Sequence, residues 1–399
     1  MMIDNKNTIC SFPWDWFSFN VDYGMWRACP RSEYRWFQTE KEVDNFFNNS
    51  ISQGIRSDLY NGIKNSNCID CYTAEDKGGM SYRKALKKDK QVKNASSIEV
   101  RAPRTIELKF SNLCNLKCVF CASVCSSLWE HESGLPQQFI DNQKVSAEYM
   151  RSSIFKWLKE NINHVESIMY LGGEPALQPE FYEIVDLLVN SNPEKVGQKE
   201  LTFSTNTYYP EAHRNRFETA LQKVLDAGHT VFPRISLDGI GNKQSYQRTN
   251  LKWNHFEKNM LSFLEKFNTN TAGIEKIRAN IALNILNLVY CGEIVDYLDS
   301  VGFGDIEPHY NYIVRPEMFY MRHWGSKLNK AIDIIEDQDF KTHINYKDHI
   351  IKMARSFTNL EPDVKHIAET KQWLDQYDSK QGFNFLEVFP ENRYMFDEM

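Results

Sequence analysis

From residue 104 to residue 315 the chain alternates strand-like and helix-like segments, and that order restricts the fold more than any other feature. The strand-like runs are TIELKFSN, ESIMYLGG, ELTFSTN, FPRISLDG, KIRANIALNI and IEPHYNYIV. Between the first two, SAEYMRSSIFKWLKENI carries Met150, Ile154, Trp157 and Leu158 at helical spacing, behind Ser146 as a candidate cap. EFYEIVDLLVNS, RFETALQKVLDAG, HFEKNMLSFLEKF and EIVDYLDSVG continue the helical series. Repeated β-then-α units imply a parallel sheet with right-handed crossovers. Six such units close only partly. The expected class is therefore α/β, a partial (βα)6 barrel with a lateral cleft at the strands' C-terminal ends, where sites in such folds gather.

The flanks differ from this core. Residues 1–80 are aromatic and irregular and hold four cysteines; residues 81–103 read as a charged, exposed linker. The basic run at 83–93 is a solvated face, or else a contact for an acidic partner or a redox donor. Residues 316–399 have no cysteine, two helical signals (LNKAIDIIEDQDF and HIAETKQWLDQY) and a late strand-like FNFLEVF. They are expected to pack on the barrel as an extension. At 399 residues and 42% apolar, the chain can bury a large core in two or three domains. It shows neither an eighteen-residue apolar run nor a basic-then-apolar N-terminus, so the expectation is a cytoplasmic protein without a membrane partner. A net charge of −6 argues against a large nucleic-acid surface.

Nine cysteines lie at 10, 29, 68, 71, 114, 118, 121, 125 and 291. An odd count without an export signal argues against a disulfide framework. Seven of them fall into two closely spaced groups. Cys114, Cys118 and Cys121 follow the first strand as C-x3-C-x2-C in LCNLKCVFC. Three thiolates on one loop can converge on a four-iron cluster, which normally takes four ligands, so one iron is left open. An open position marks a catalytic rather than a structural metal centre. A zinc site borrowing Cys125 or a histidine fits the same triplet.

Polar residues recur at the ends of the later strands. The second ends MYLGGEPAL, where Gly172 and Gly173 permit close backbone approach and Glu174 can accept from a cationic amine. The third ends FSTNTY and the fourth RISLDGIGNKQSYQRTN. Each polar residue could simply form a turn or a cap; their order and register suggest more. The C-x3-C-x2-C loop followed by GGEP resembles the radical S-adenosylmethionine (SAM) superfamily. That resemblance implies a SAM-binding 4Fe-4S cluster on Cys114, Cys118 and Cys121, with SAM on its open iron. Reductive cleavage would then give a 5′-deoxyadenosyl radical that takes a hydrogen atom from substrate. It also implies that Phe120 lies near adenine and that Gly172, Gly173 and Glu174 bind the amino group. Ser204 and Asn206 match a threonine–asparagine–glycine turn, with Thr207 in place of its glycine. Ser236, Asp238 and Arg248 match an S-x-D-G segment and a following arginine for the carboxylate or ribose, and Asn284 matches a ribose contact.

Cys10, Cys29, Cys68 and Cys71 read C-x13-G-x4-C and then C-x2-C, with Gly24 as the glycine. Four thiolates suit a zinc ion or a second four-iron cluster, and spacing does not choose between them. The pattern, with its CSFPW opening, resembles the twitch domain, the short form of the SPASM domain, whose signature is C-x(9–15)-G-x4-C. The resemblance implies an auxiliary 4Fe-4S cluster, here placed before the barrel and not after it. Cys125 and Cys291 read as packed side chains. The function implied is a radical SAM oxidoreductase acting on a peptide or protein side chain, with a flavodoxin- or ferredoxin-like electron donor. The alternatives are a small-molecule substrate such as a sugar or aminocyclitol, and a non-enzymatic zinc-binding interaction protein. No catalytic acid or base stands out; Glu307, His309 and Tyr310 lie on the last strand.

Overall fold

A computed structural model describes residues 8–76, 81–84, 98–340 and 343–396. The chain divides into two compact units interleaved in sequence: Met1–Asn112, Leu135–Phe203 and Ala220–Val231 form one, and Leu113–Gly134, Ser204–Thr219 and Phe232–Met399 the other. All six strand-like runs of the sequence are strands, though the unit boundaries do not follow the expected divisions near 80 and 104.

The first unit is built on β4 (Thr105–Lys109), whose Ile106 and Leu108 are wholly buried while Glu107 faces the other way. β4 pairs in parallel with β6 (Ser167–Leu171), and β6 with β7 (Glu200–Thr205). The N-terminal region corrects the sequence reading, because it is not irregular. It forms a short helix, Phe12–Asp15, then β1 (Trp16–Asn20), β2 (Met25–Arg27) and β3 (Arg35–Trp36), and later the helix Ser50–Tyr60. β1 lies parallel to β4, in register from Trp16↔Thr105 to Asn20↔Lys109, so the unit's sheet runs β7-β6-β4-β1-β2-β3. The aromatic excess explains why. Phe17 stacks on Trp26 at 5.4 Å and Phe19 packs on Phe46 at 4.7 Å, giving the added strands their own buried face. Arg56, fully buried, fastens the same region by donating to the carbonyls of Pro13, Phe47 and Ile98. Arg83, expected on an exposed linker, is buried and ion-paired with Glu75. The rest of that basic run, residues 85–93, lies outside the described residues.

In the second unit β8 (Thr230–Ser236, begun in the first unit), β10 (Arg278–Leu283) and β11 (Glu307–Tyr312) are parallel in the order β11-β10-β8. Ile235, Ala279 and Ile281 are buried on one face. Arg234, Ser236, Arg278, Asn280, Glu307 and His309 alternate onto the other. A separate antiparallel pair joins β5 (Lys117–Cys118) to β9 (Arg248–Thr249). The C-terminal region is helical, with Leu328–Glu336, Ile344–Arg355 and Val364–Gln381. The late strand-like run FNFLEVF is a helix, Phe385–Val388, capped by Asn384. Its Phe385 and Phe389, four apart, both pack on Tyr246, so a helical period wins over the apparent alternation. Among the described residues, no helix is long and apolar enough to cross a membrane.

Candidate functional site

The C-x3-C-x2-C loop belongs to the second unit and is shaped by short-range bonds. The Cys121 N–H donates to the Cys118 carbonyl at 3.0 Å, a tight turn that brings those two thiols together. Ser127 Oγ bridges the N–H and carbonyl of Cys114 at 3.2 and 3.3 Å. Trp129 Nε1 donates to the Cys118 carbonyl at 2.8 Å, and Ser126 Oγ to that of Leu116 at 2.7 Å. Cys118 is buried, whereas Cys114 and Cys121 are half-buried, so the sulfurs sit at the edge of the core.

Residues from later in the chain converge on these thiols. Cys118 and Arg248 are directly opposite in the β5–β9 pair. Arg248 Nε donates to Asp238 Oδ2 at 2.6 Å, one of its terminal nitrogens lies 3.7 Å from Cys118 Sγ, and its guanidinium stands over the Phe120 ring at 5.4 Å. Burial works against the charge of Arg248, but Asp238 and the thiols of Cys118 and Cys121 outweigh it, so its pKa is raised. A hydrogen bond from Cys121, and then Arg248, overcome burial and hold the Cys118 thiol below its ordinary value. The same bond, reinforced by burial, pushes Cys121 up. Of this pair Cys118 is thus the first to ionise, the form in which a thiol binds metal.

Asn206 Nδ2 lies 3.9 Å from Cys114 Sγ and donates to Asn115 Oδ1 at 3.1 Å. Its Oδ1 accepts from the Tyr208 N–H, making a tight turn. Thr207 keeps a left-handed φ of +49°, a region that favours glycine. A β-branched residue there costs about 1–2 kcal/mol, and the Thr207 N–H is fixed by Thr205 Oγ1 at 3.1 Å. Ser204, next to this turn, is half-buried.

Asp238 and Asn284 are wholly buried and use their polar atoms on the protein. Asp238 Oδ1 accepts from the Ala282 N–H at 2.6 Å. Asn284 donates to Gln247 Oε1 at 3.0 Å and accepts from the Leu286 N–H. Ser236, 8% exposed, gives its carbonyl to Gln244 Nε2. Three residues that sequence reading missed complete this network: Gln244, Gln247 and Asn287 all bond the backbone of Asp238. Their faint signal is the Q-x2-Q spacing just before Arg248.

The GGEP segment lies in the first unit. Gly172 has φ +120°, and a Cβ there would stand 2.5 Å from the Ser111 carbonyl oxygen, so no side chain fits. The Gly173 N–H and Gln178 Nε2 both donate to that carbonyl, at 3.0 and 3.2 Å. Glu174 is 2% exposed and caps the turn Pro175–Leu177 through the Ala176 N–H.

The second cysteine group is also in the first unit. Cys10, Cys29, Cys68 and Cys71 line one pocket with Phe12, Arg31, Asn67, Asp70, Tyr82 and Arg83. The hairpin β1–β2 brings the first two together. The chain climbs β1, turns at Gly24 (φ +62°) and returns along β2 to Cys29. Burial pushes Cys10 up to about 12, with the charges of Cys29, Cys68 and Cys71 adding to it. Burial, then Cys29 and Cys71, likewise push Cys68 up to about 12. Cys10 and Cys71 are buried and Cys29 and Cys68 half-buried; four thiols that repel one another as thiolates fit a cationic core that neutralises them, the donor set of a metal or an iron–sulfur cluster. Outside both groups, Cys291 is fully buried as expected. Cys125 is a correction: it is exposed, in a turn closed by its N–H to the Ala122 carbonyl.

A family model described as the radical SAM superfamily matches residues 108–278, less than half of the chain. That stretch holds the three-cysteine loop, GGEP, and the Asp238 and Arg248 positions. No curated protein matches the sequence. Among solved structures, the crystal structure of Streptococcus suis SuiB bound to S-adenosylmethionine aligns over 94% of this chain and 72% of its own, at 12% identity and a TM-score of 0.36. A likeness of that size says nothing about what this chain does.

Proposed function

We propose that this chain, which carries a radical SAM superfamily domain over residues 108–278, is an oxidoreductase that cleaves SAM reductively at a four-iron cluster held by Cys114, Cys118 and Cys121. The observation that carries this reading is the convergence on one loop of three thiols, one of them held toward its thiolate beside Arg248. Bound there, the reduced cluster and SAM supply one-electron cleavage of the sulfonium C–S bond, and with it a carbon-centred radical that removes a hydrogen atom from substrate. The chain's own residues set the stage. Arg248 places a fixed positive charge beside Cys118, which stabilises a ligand sulfur as thiolate. Phe120 offers an aromatic face for adenine. Asn206 points an amide donor at the Cys114 sulfur, a contact of the kind that tunes cluster potential. Gly172, Gly173 and Glu174 bind the SAM amino group, Ser204 and Ser236 lie at the strand ends near SAM, and Arg248 has a further terminal nitrogen for its carboxylate. Asp238 and Asn284 act by positioning.

The second cysteine group holds an auxiliary four-iron cluster in this proposal. Sulfurs around one zinc at about 2.3 Å stand about 3.8 Å apart. Among the described residues, the sole set of three metal-binding groups with ligand atoms within 4.8 Å of one another contains no cysteine, so both cysteine groups are spaced more widely than one ion needs. With all four ligands from protein, a cluster held there would serve electron transfer, and a flavodoxin- or ferredoxin-like donor would supply the reducing equivalents. The resemblance to enzymes with auxiliary clusters supports a peptide or protein side chain as substrate.

Anaerobically reconstituted protein given dithionite and SAM is expected to release 5′-deoxyadenosine and methionine, and a Cys118→Ala variant to release none. Cleavage by that variant at the parent rate sinks the assignment. Replacing Cys68 and Cys71 with Ala is expected to remove roughly half the iron, since each cluster holds four, while SAM cleavage persists; unchanged iron content refutes the second cluster.

A further inference from the structure

Four polar side chains of the C-terminal region meet where two turns approach a helix start. Glu317 lies in the turn Glu317–Phe319 and His323 in Met321–Lys327, while Asp363 caps the helix Val364–Gln381, whose first turn carries His366. The rings of His323 and His366 are parallel to within 4°, with centroids 3.9 Å apart. Asp363 divides its carboxylate between two tasks. Oδ1 accepts from the His366 N–H at 3.1 Å, which is the helix cap. Oδ2 stands 3.5 Å from Nδ1 of His323 and 3.2 Å from Nδ1 of His366, which the cap does not require. At the opposite edge of its ring, Nε2 of His366 lies 3.5 Å from Glu317 Oε2. One ligand atom from each of Glu317, His323 and His366 lies within 4.8 Å of the other two.

We infer that Glu317, His323 and His366 form a binding site for one divalent first-row transition-metal ion of the zinc type, with Asp363 orienting both imidazoles. Imidazole nitrogen and carboxylate oxygen are donors such ions prefer, and three protein ligands leave room for water. A metal-bound histidine usually gives its other ring N–H to a carboxylate, and that is where Asp363 Oδ2 stands. Both rings are half-buried, so a hydrated ion reaches them from solvent. Stacked rings have parallel lone pairs, so coordination of one ion by both requires them to tilt toward each other.

Besides keeping a position for water, the bound ion acts as a staple. The ion ties the turns at 317–327 to the start of a helix that already holds them by Thr370 Oγ1 on the Met318 carbonyl, at 3.0 Å, and by Trp373 against Phe319. Further along the same helix, the Tyr377 hydroxyl bonds Thr249 Oγ1 and the Tyr246 carbonyl, next to Arg248. The ion therefore secures the helix that braces the β9 segment.

The test uses full-length protein with its iron loaded anaerobically, titrated with zinc chloride and followed by calorimetry, bound zinc and iron per chain, and thermal midpoint. One zinc per chain, a higher midpoint and unchanged iron are expected. His323→Gln and His366→Gln should each lose that zinc while keeping their iron. Asp363→Asn, which retains a capping oxygen, should weaken it roughly 10- to 100-fold. A parent that takes up no zinc, that takes it up only by losing iron, or whose zinc is unaffected by both histidine substitutions overturns the site.

Discussion

Asp238 is a buried carboxylate that commits both of its oxygens to the protein. Its two oxygens accept different donors, the Ala282 N–H and Arg248 Nε, each at 2.6 Å. An asparagine can accept with only one end, so Asp238→Asn sets an amide N–H₂ against a donor as well as stranding the Arg248 charge. Breaking a buried pair from one side costs about 3–5 kcal/mol. Anaerobic urea denaturation of Asp238→Asn should show a loss of that order, with less iron retained on reconstitution. A variant within about 1 kcal/mol of the parent, the size of a typical neutral hydrogen bond, would mean the pair does little.

At the scale of elements, the helix Val364–Gln381 reaches the partner strand of the three-cysteine loop through the Tyr377 hydroxyl. Tyr377 Oη lies 2.5 Å from Thr249 Oγ1 and donates to the Tyr246 carbonyl at 2.8 Å. Tyr377→Phe leaves that carbonyl without its donor, a cost of about 1–3 kcal/mol. Faster amide exchange in peptides covering 246–249 is the expected sign; unchanged exchange there would show that the helix does not brace them. Neither partner was legible in the sequence, because a contact across more than a hundred residues leaves no local pattern. What was legible is what repeats locally. Alternation along β4, β6 and β8 and the Ser146 cap, which accepts from the Tyr149 N–H at 3.2 Å, needed only neighbours to be read. FNFLEVF misled because its phenylalanines satisfy two periods at once. The Gln244–Gln247–Asn287 network stayed hidden because its partners, the short helix Asn242–Gln247 and the segment around Asn287, lie far apart in the chain.

For the whole molecule, acid stability should fall in two stages. Burial, then Arg278 and Arg234, push His309 down to about 4, so it folds neutral. The unfolded chain binds that proton from about pH 6.5 downward, and stability is lost between there and about 4. Carboxylates act lower. Burial raises Glu107, but Arg27, Lys109 and their donors prevail and hold it below its ordinary 4.5. Its contribution is complete above that value and disappears as pH falls through the folded one. His164, His229 and His323 are also held down and share the upper stage, so His309→Asn should make that stage shallower and leave the lower one unchanged, and Glu107→Gln the reverse, in melting curves taken from pH 7 to 3. Equal slopes in parent and His309→Asn between 6.5 and 4 would count against this account. The β1–β2 hairpin bears on length variation in the same way that these charges bear on pH. Between Gly24 and Cys29 the residues Met25, Trp26 and Arg27 are locked by pairing to Asn20, Phe19 and Ser18. An insertion there shifts the register and turns every side chain beyond it to the opposite face. On the outgoing arm, the residues between Cys10 and β1 form a helical turn outside the ladder, where added residues can be looped out. Added residues are thus tolerated between Cys10 and β1 but not between Gly24 and Cys29.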